Sequence, residues 1–280
     1  MSGLKDYIEI SDEELLSLTD AIQQRHGIDF SCYETKSLRR RLLRTLSVFN
    51  LNSIHELWMK ILREQEFIYP FMDEISVGLT ALFRDSKLWK TLEHTILREK
   101  YKDQESISIW HAGCSTGEEV YSMGIVLQEL DLQDKASAWA TDISNKSLQI
   151  AQNGEYHQMK FPEYSKNLSE FKLNRNLKSY LDEPLIPDHF KLKKDLISHV
   201  KWDHHNLISD EFNQKFDIIF CRNVMIYFDV NSKIKLFRKF YDSLNPEGIL
   251  IIGFYDAVLP LIDSIDFEIL DMDAKIFIKK

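Results

Sequence analysis

Cysteine is nearly absent from this chain: Cys32, Cys114 and Cys221 are the only three. The number is odd and no two are close in sequence, so neither a disulfide framework nor a zinc-ligand spacing can be read. No metal is expected, and the chain is read as cytoplasmic, in a reducing compartment. Long apolar runs are missing as well. The N-terminus, MSGLKDYIEISDEELL, has no apolar signal core. No stretch approaches the roughly 20 apolar residues of a membrane-spanning helix, so membrane insertion is not expected. A basic excess is also lacking: 35 Lys and Arg stand against 44 Asp and Glu, a net charge of −9. That argues against general nucleic-acid binding. One local exception is residues 35–55, where Lys36, Arg39, Arg40, Arg41 and Arg44 occur without an acid. Glycine is scarce, and none falls between Gly154 and Gly248.

What is present divides the chain in two. Residues 1–75 read as a small all-α domain. Ser11 with Glu14 forms a capping-box pattern and Gly27 a stop. Leu38, Leu42, Leu43 and Leu46 recur at helical spacing with arginines on the other side. Residues 76–95 read as a linker and a helix contributing to a ligand site. From 96 to 280 the texture is α/β. ISIWHA (107–112), ASAWATD (136–142), FDIIFCRN (216–223), GILIIGF (248–254) and DAKIFIKK (273–280) read as strands, alternating with helices. This predicts a mainly parallel, doubly wound sheet. The last two strands, with no long helix between them, predict a terminal antiparallel hairpin-like pair. Residues 157–200 break the rhythm and read as an insertion of mixed structure.

The stretch IWHAGCSTGEEVYS (109–122) joins a strand to a helix through a turn between Gly113 and Gly117. Such a turn is a nucleotide-ligand platform. It lacks the G-x-G-x-x-G spacing that cradles a pyrophosphate, and Glu118 and Glu119 would repel a polyanion there. They suit a ligand that is neutral or cationic at that point, such as the amino end and sulfonium of S-adenosylmethionine; alternatively they complement the helix dipole. Asp142 ends the second strand, placed for ribose hydroxyls or for a helix N-cap. Turn and acid together do not separate NAD from S-adenosylmethionine. Arg222 and Asn223 follow an apolar strand at the carboxyl edge of the sheet, and Tyr227 lies four residues on, as a ligand residue or a core tyrosine. Arg84, after an apolar stretch, needs an anionic partner: a ligand carboxylate, Asp85 or a nearby glutamate.

LTALFRD, AGCSTGEEVYS, ATDIS, HHNLI and FDIIFCRNVMIYFD, in this order and approximate spacing, resemble the CheR-type chemotaxis receptor glutamate methyltransferases. The resemblance covers nearly the whole chain and is weakest over 157–200 and after Gly253. It implies an all-α domain followed by a class I, Rossmann-like S-adenosylmethionine-dependent methyltransferase domain. The acceptors would be glutamates on the cytoplasmic helices of chemotaxis receptors, and the product S-adenosylhomocysteine. By motif, Arg84 and Thr80 would meet the methionine carboxylate and Glu118 the amino end, on the turn of Gly113 and Gly117. Asp142 would bind the ribose, Asn206 and Leu207 would flank the adenine, and Asn223 would lie near the sulfonium. Tyr227 would lie near the transferring methyl, which with Arg84 makes it the catalytic pair. Arg41 and Arg44 match the family's basic receptor-facing helix, although an ordinary solvated face would look the same. Part of the insertion would form a small β-subdomain able to dock a receptor tail. The chain is expected to be a monomer.

The match has departures. Gly78 stands where the family has asparagine, Leu82 replaces an aromatic, and Gly253-Phe254-Tyr255-Asp256 replaces Gly-His-Ser-Glu. A cofactor-binding adaptor without catalysis is therefore an alternative reading. A methyltransferase of small molecules and a nicotinamide-dependent oxidoreductase rank lower.

Overall fold

The computed structural model describes residues 9–26, 28, 30–31, 33–75, 80–171, 175–182, 187–211, 213–254, 256 and 267–280. Gly27, Cys32, Gly78 and Tyr255, singled out in the sequence, lie outside the described residues. The chain forms two compact units: Met1–Val77 with Tyr227–Ser232, and Gly78–Ile226 with Lys233–Lys280.

The first unit is helical: α1 (Asp12–His26), α2 (Thr35–Val48), α3 (Ile54–Arg63) and α4 (Ile68–Ile75). Ser11 and Glu14 form the reciprocal cap, Ser11 N–H donating to Oε2 at 2.8 Å and Glu14 N–H to Oγ at 3.2 Å. Ser53 caps α3 by accepting the Glu56 N–H, and the Glu56 carboxylate accepts the Asn52 N–H at 2.8 Å. Leu15, Leu18 and Ile22 of α1, Leu38, Leu42 and Leu46 of α2, and Leu57 and Ile61 of α3 are all buried, and α3 packs on both α1 and α2. Each such side chain contributes roughly 1.5–3 kcal/mol by leaving water. The short stretch Tyr227–Ser232 belongs to this unit although it lies far along the chain. Phe228 bridges antiparallel to Tyr33, and Glu34 N–H donates to the Tyr227 carbonyl at 2.9 Å.

The second unit opens with α5 (Ser86–Thr91), which runs into a widened, π-type helical stretch, Leu92–Tyr101. Residues 86–95, within the stretch read above as a linker and a helix, are helical and group with the sheet unit. Its strands are β1 (Ile107–Ala112), β2 (Ala136–Asp142), β3 (Glu155–His157), β4 (His189–Lys191), β5 (Val200–His204), β6 (Phe216–Cys221), β7 (Leu244–Ile252), β8 (Phe267–Asp271) and β9 (Ile276–Lys279). The helices among them are α6 (Glu118–Glu129), α7 (Asn145–Asn153), α8 (Phe161–Phe171) and α9 (Val230–Ser243). Seven strands form one sheet in the order β5-β2-β1-β6-β7-β9-β8. The first five are parallel to their neighbours, and β9 is antiparallel to both β7 and β8.

Chain order runs outward from β1 in both directions, so the crevice between β1 and β6 at their carboxyl ends is the switch point where ligands bind in such sheets. Ile109, Trp110, Ile218, Ile219 and Phe220 are wholly buried, as strands covered on both faces must be. The expected terminal pair is antiparallel, but it is not a hairpin: β8 intervenes in sequence and lies outside β9. β5 and β8 are edge strands that the hydrophobic pattern did not reveal. VKWDH and FEILD each turn charged residues to solvent. The insertion holds α8 and an antiparallel pair, β3 with β4, extended by an isolated bridge from Leu181 to Leu192.

Candidate active site

The glycine turn closes over the end of β1. Gly113 and Cys114 both donate N–H to the Thr141 carbonyl at 2.9 Å, which ties the turn to β2. Gly113 has φ +80 and Gly117 φ +89, in the region that favours glycine. A Cβ at Gly113 would stand 2.6 Å from Val224 Cγ2, and one at Gly117 2.7 Å from Ala151 Cβ. What approaches these backbones closely is thus the chain itself: Val224 beyond β6, and α7. Ser115 also takes positive φ, 49.

Asp142 stitches this turn to the end of β2. One carboxylate oxygen accepts the Ser115 N–H at 2.8 Å, the other the Ser144 N–H at 2.9 Å. Burial raises its pKa, against the opposing pull of these amides. The Ile143 amide is a third backbone donor, and of the carboxylate's roughly four acceptor positions one remains for a hydroxyl. The Asp142 carbonyl accepts the His205 N–H at 3.1 Å, so Asn206 and Leu207 follow directly beside it. Asn206 folds its own turn, Oδ1 accepting the Ile208 N–H at 3.0 Å and the backbone N–H donating to Asp210 at 2.8 Å. Leu207 is buried, and its carbonyl accepts from Lys239 at 2.7 Å.

Glu118, the first residue of α6, has a fully buried side chain. Oε1 accepts from Lys160 Nζ at 2.8 Å and from the Tyr164 hydroxyl at 2.6 Å, and Oε2 accepts from the Thr116 hydroxyl at 2.6 Å. Glu119 turns elsewhere: Oε1 meets His111 Nδ1 at 3.0 Å and Oε2 meets Arg222 at 3.1 Å. Burial alone would raise the Glu119 pKa, but His111 and Arg222 together bring it below the ordinary carboxylate value. The two glutamates, alike in sequence, therefore differ in kind. Glu118 faces the insertion, and Glu119 locks β1 to β6.

Arg222 also pairs with Asp85 and donates to the Arg84 carbonyl at 3.3 Å. Trp89 Nε1 donates to the same carbonyl at 3.0 Å. The backbone of Arg84 is thereby pinned between two left-handed residues, Phe83 (φ 51) and Asp85 (φ 62). Thr80 is half-buried, directly before the buried Ala81, Leu82 and Phe83. With Leu82 at the aromatic's position, Phe83 supplies the ring packing, stacked on Phe171 of α8 at 5.1 Å.

Asn223 takes positive φ (60), and its N–H donates to Asp256 at 2.6 Å. Asp256 also accepts the Gly253 N–H at 2.8 Å and the Ile226 N–H at 3.0 Å. A Cβ at Gly253 would come 2.5 Å from the Asn223 nitrogen. Asp256, treated above only as a departure from the family pattern, is the residue that shapes the Asn223 turn.

Thr80, Arg84, Gly113, Gly117, Glu118, Asp142, Asn206, Leu207 and Asn223 all belong to the sheet unit: Thr80 and Arg84 on the loop before α5, Glu118 at the start of α6, and the others at strand ends. Tyr227 groups with the helical unit, its ring under the Arg41 guanidinium at 3.5 Å. Arg41, expected with Arg44 on a receptor-facing helix, is 4% exposed and also donates to the Ile75 carbonyl. Its position shares the apolar face of α2 with Leu38 and Leu42. Arg44 is exposed and pairs with Glu74 at 2.7 Å, and Lys36 and Arg40 share its solvent face at four-residue spacing. Sequence reasoning missed Asp85, His111, Lys160, Tyr164 and Asp256 as site-shaping groups. Of these, only His111 carried a local signal, a polar residue inside an otherwise apolar strand.

The sheet order, the switch-point crevice, a glycine turn that opens on a buried carboxylate and an acid at the end of β2 define a class I S-adenosylmethionine-dependent methyltransferase. The residues fit that nucleoside: carboxylates rather than phosphate-binding groups head α6, and Asp142 retains acceptor capacity. The chain belongs to the CheR methyltransferase family. The family's all-alpha domain matches residues 13–76 and its S-adenosylmethionine-binding domain residues 78–276. Among similar proteins is a chemotaxis protein methyltransferase of Borreliella burgdorferi, 32% identical over 90% of each chain. Chemotaxis protein methyltransferase 1 of Vibrio cholerae is 30% identical, covering 92% of this chain and 94% of its own. One from Listeria innocua is 25% identical over 89% and 91%.

Proposed function

We infer that this enzyme transfers the methyl group of S-adenosylmethionine to glutamate side chains of chemotaxis receptors, forming methyl esters in sensory adaptation. The observation that carries this reading is the match of both family domains across nearly the whole chain, with relatives named for chemotaxis methylation. The cofactor supplies a methyl carbon on a positively charged sulfur. An acceptor glutamate has an ordinary pKa of about 4.3 and is already ionised at neutral pH. Its oxygen bonds to the methyl carbon as the carbon–sulfur bond breaks, a neutral thioether leaves, and no proton moves. No general base is required; orientation alone supplies roughly 7–11 kcal/mol in well-aligned cases.

In this reading Arg84 and Thr80 take the methionine carboxylate, Glu118 the ammonium, Asp142 the ribose, Asn206 and Leu207 the adenine, and Asn223 the sulfonium end. Glu118 at the head of α6, and Gly113, Gly117, Asp142, Asn206, Leu207 and Asn223 at strand ends, support the assignment; Thr80 and Arg84 lie on the loop before α5 and are carried by motif alone. The role of Tyr227, orienting the incoming carboxylate, rests on its place four residues after Asn223. Arg44, with Lys36 and Arg40, faces the acidic acceptor helices.

Incubation with radiolabelled S-adenosylmethionine and receptor-bearing membranes is expected to leave base-labile label on the receptor. Asp142→Ala should weaken S-adenosylhomocysteine roughly tenfold or more, by loss of hydrogen bonds to a charged group. Label absent from the receptor, or stable to mild base, excludes glutamate esterification. Unchanged affinity in the variant removes Asp142 from the cofactor site.

A further inference from the structure

The insertion supplies donors to the head of the cofactor turn. Tyr164 and Lys160 both reach Glu118, at 2.6 and 2.8 Å. The Tyr156 hydroxyl donates to the Thr116 carbonyl at 2.7 Å. Asn167 of α8 donates to the Leu82 carbonyl at 2.9 Å, beside the stacked Phe83 and Phe171. The turn of residues 116–118 and the loop that carries Arg84 therefore lean on one helix of the insertion.

We propose that Tyr164 is a positioning residue for the cofactor's ammonium group, acting through Glu118. The inference rests on the reading of Glu118 given above. A carboxylate offers roughly four acceptor positions. Lys160 and Tyr164 fill those of Oε1 and Thr116 fills one on Oε2, so one Oε2 position is not taken by these three donors. Tyr164 is wholly buried, with its ring edge-on to Tyr156 at 5.9 Å and to Phe190 at 5.9 Å. Its hydroxyl therefore has one geometry. Burial first, and the Glu118 charge next, hold its pKa far above the ordinary tyrosine value, so it donates to Glu118 at every working pH. Without that donor, Oε1 keeps Lys160 alone. Lys160 has a half-exposed, flexible side chain that cannot fix the plane of the carboxylate.

The test compares two ligands, S-adenosylhomocysteine and its analogue with hydrogen in place of the amino group, in wild type, Tyr164→Phe and Glu118→Gln by calorimetry. Tyr164→Phe removes one oxygen from a packed ring. It is expected to weaken S-adenosylhomocysteine about tenfold, the scale of one hydrogen bond to a charged group, and to leave the deaminated analogue unchanged. The turnover rate at saturating cofactor should stay near wild type while KM for the cofactor rises. Equal weakening of both ligands would show a structural role only, and unchanged affinity for both would show none; either overturns the inference. Glu118→Gln should abolish the preference for the amino-bearing ligand. If the preference survives Glu118→Gln, the reading of Glu118 itself fails. If Glu118→Gln abolishes it and Tyr164→Phe spares it, only the present inference fails.

Discussion

Asp256 is a carboxylate buried beneath three backbone amides, those of Asn223, Gly253 and Ile226. Burial dominates, and its pKa rises to about 6 although the amides and Arg222 pull it down. Two opposite consequences follow from one shift. Between the ordinary carboxylate range and about pH 6 the native state keeps a proton that the unfolded chain has released. The contribution of this residue to stability therefore grows as pH falls through that window. The Asn223 turn responds the other way, because a protonated carboxyl gives up acceptor capacity that the amides use. Affinity for S-adenosylhomocysteine is expected to fall as pH drops below about 6 in the wild type. In Asp256→Asn that step should be absent. Identical pH profiles for the two proteins, measured calorimetrically, would exclude Asp256 as the group responsible.

At the scale of elements, α2 shows how one basic run divides. LRRRLLR places Leu38, Arg39, Arg41 and Leu42 on a buried or half-buried face and Arg40, Leu43 and Arg44 in solvent. Arg41, inside, stacks its guanidinium on Tyr227; burial lowers its pKa despite the favourable contact with that ring. A desolvated cation–π contact is worth about 2 kcal/mol. Arg41→Ala is accordingly expected to lower the free energy of unfolding by roughly 2 kcal/mol in urea melts, whereas Arg44→Glu should leave it within about 0.5 kcal/mol. Arg44→Glu should instead slow receptor methylation without changing cofactor affinity. A destabilised Arg44→Glu together with a fully stable Arg41→Ala would reverse these roles. The period of the leucines announced α2 itself. Helical spacing puts Arg41 on the face of Leu38 and Leu42; what it meets there is Tyr227, almost 200 residues away in sequence. The two edge strands escaped notice for a related reason. β5 and β8 are edge strands with most of their residues exposed, so neither shows the continuous apolar run that marks a buried strand.

For the molecule as a whole, the net charge of −9 opposes approach to an acidic acceptor helix. The exposed row of Lys36, Arg40 and Arg44 favours it. At ~0.1 M salt the screening length is about 10 Å, so nearby charges outweigh the distant total. Receptor methylation is thus expected to slow as salt rises from roughly 0.05 to 0.3 M, with S-adenosylhomocysteine affinity little changed. A rate that rises with salt would show that global repulsion governs the encounter instead.

The amino-acid sequence by itself determined the division into a helical part and an α/β part, the parallel core strands, the glycine turn and the acid at the end of β2. These are local: apolar periodicity, positive-φ glycines and capping residues act over a few neighbours in the chain. Tertiary structure alone decided that Glu118 and Glu119, adjacent in sequence, serve different partners. It also decided that Asp256 builds the Asn223 turn, that Arg41 meets Tyr227, and that helix α8 of the insertion reaches the cofactor turn. Those choices come from burial and hydrogen-bond satisfaction between segments 30 to 190 residues apart. A buried charge takes whichever partner the fold brings to it, and no local pattern encodes which one that is.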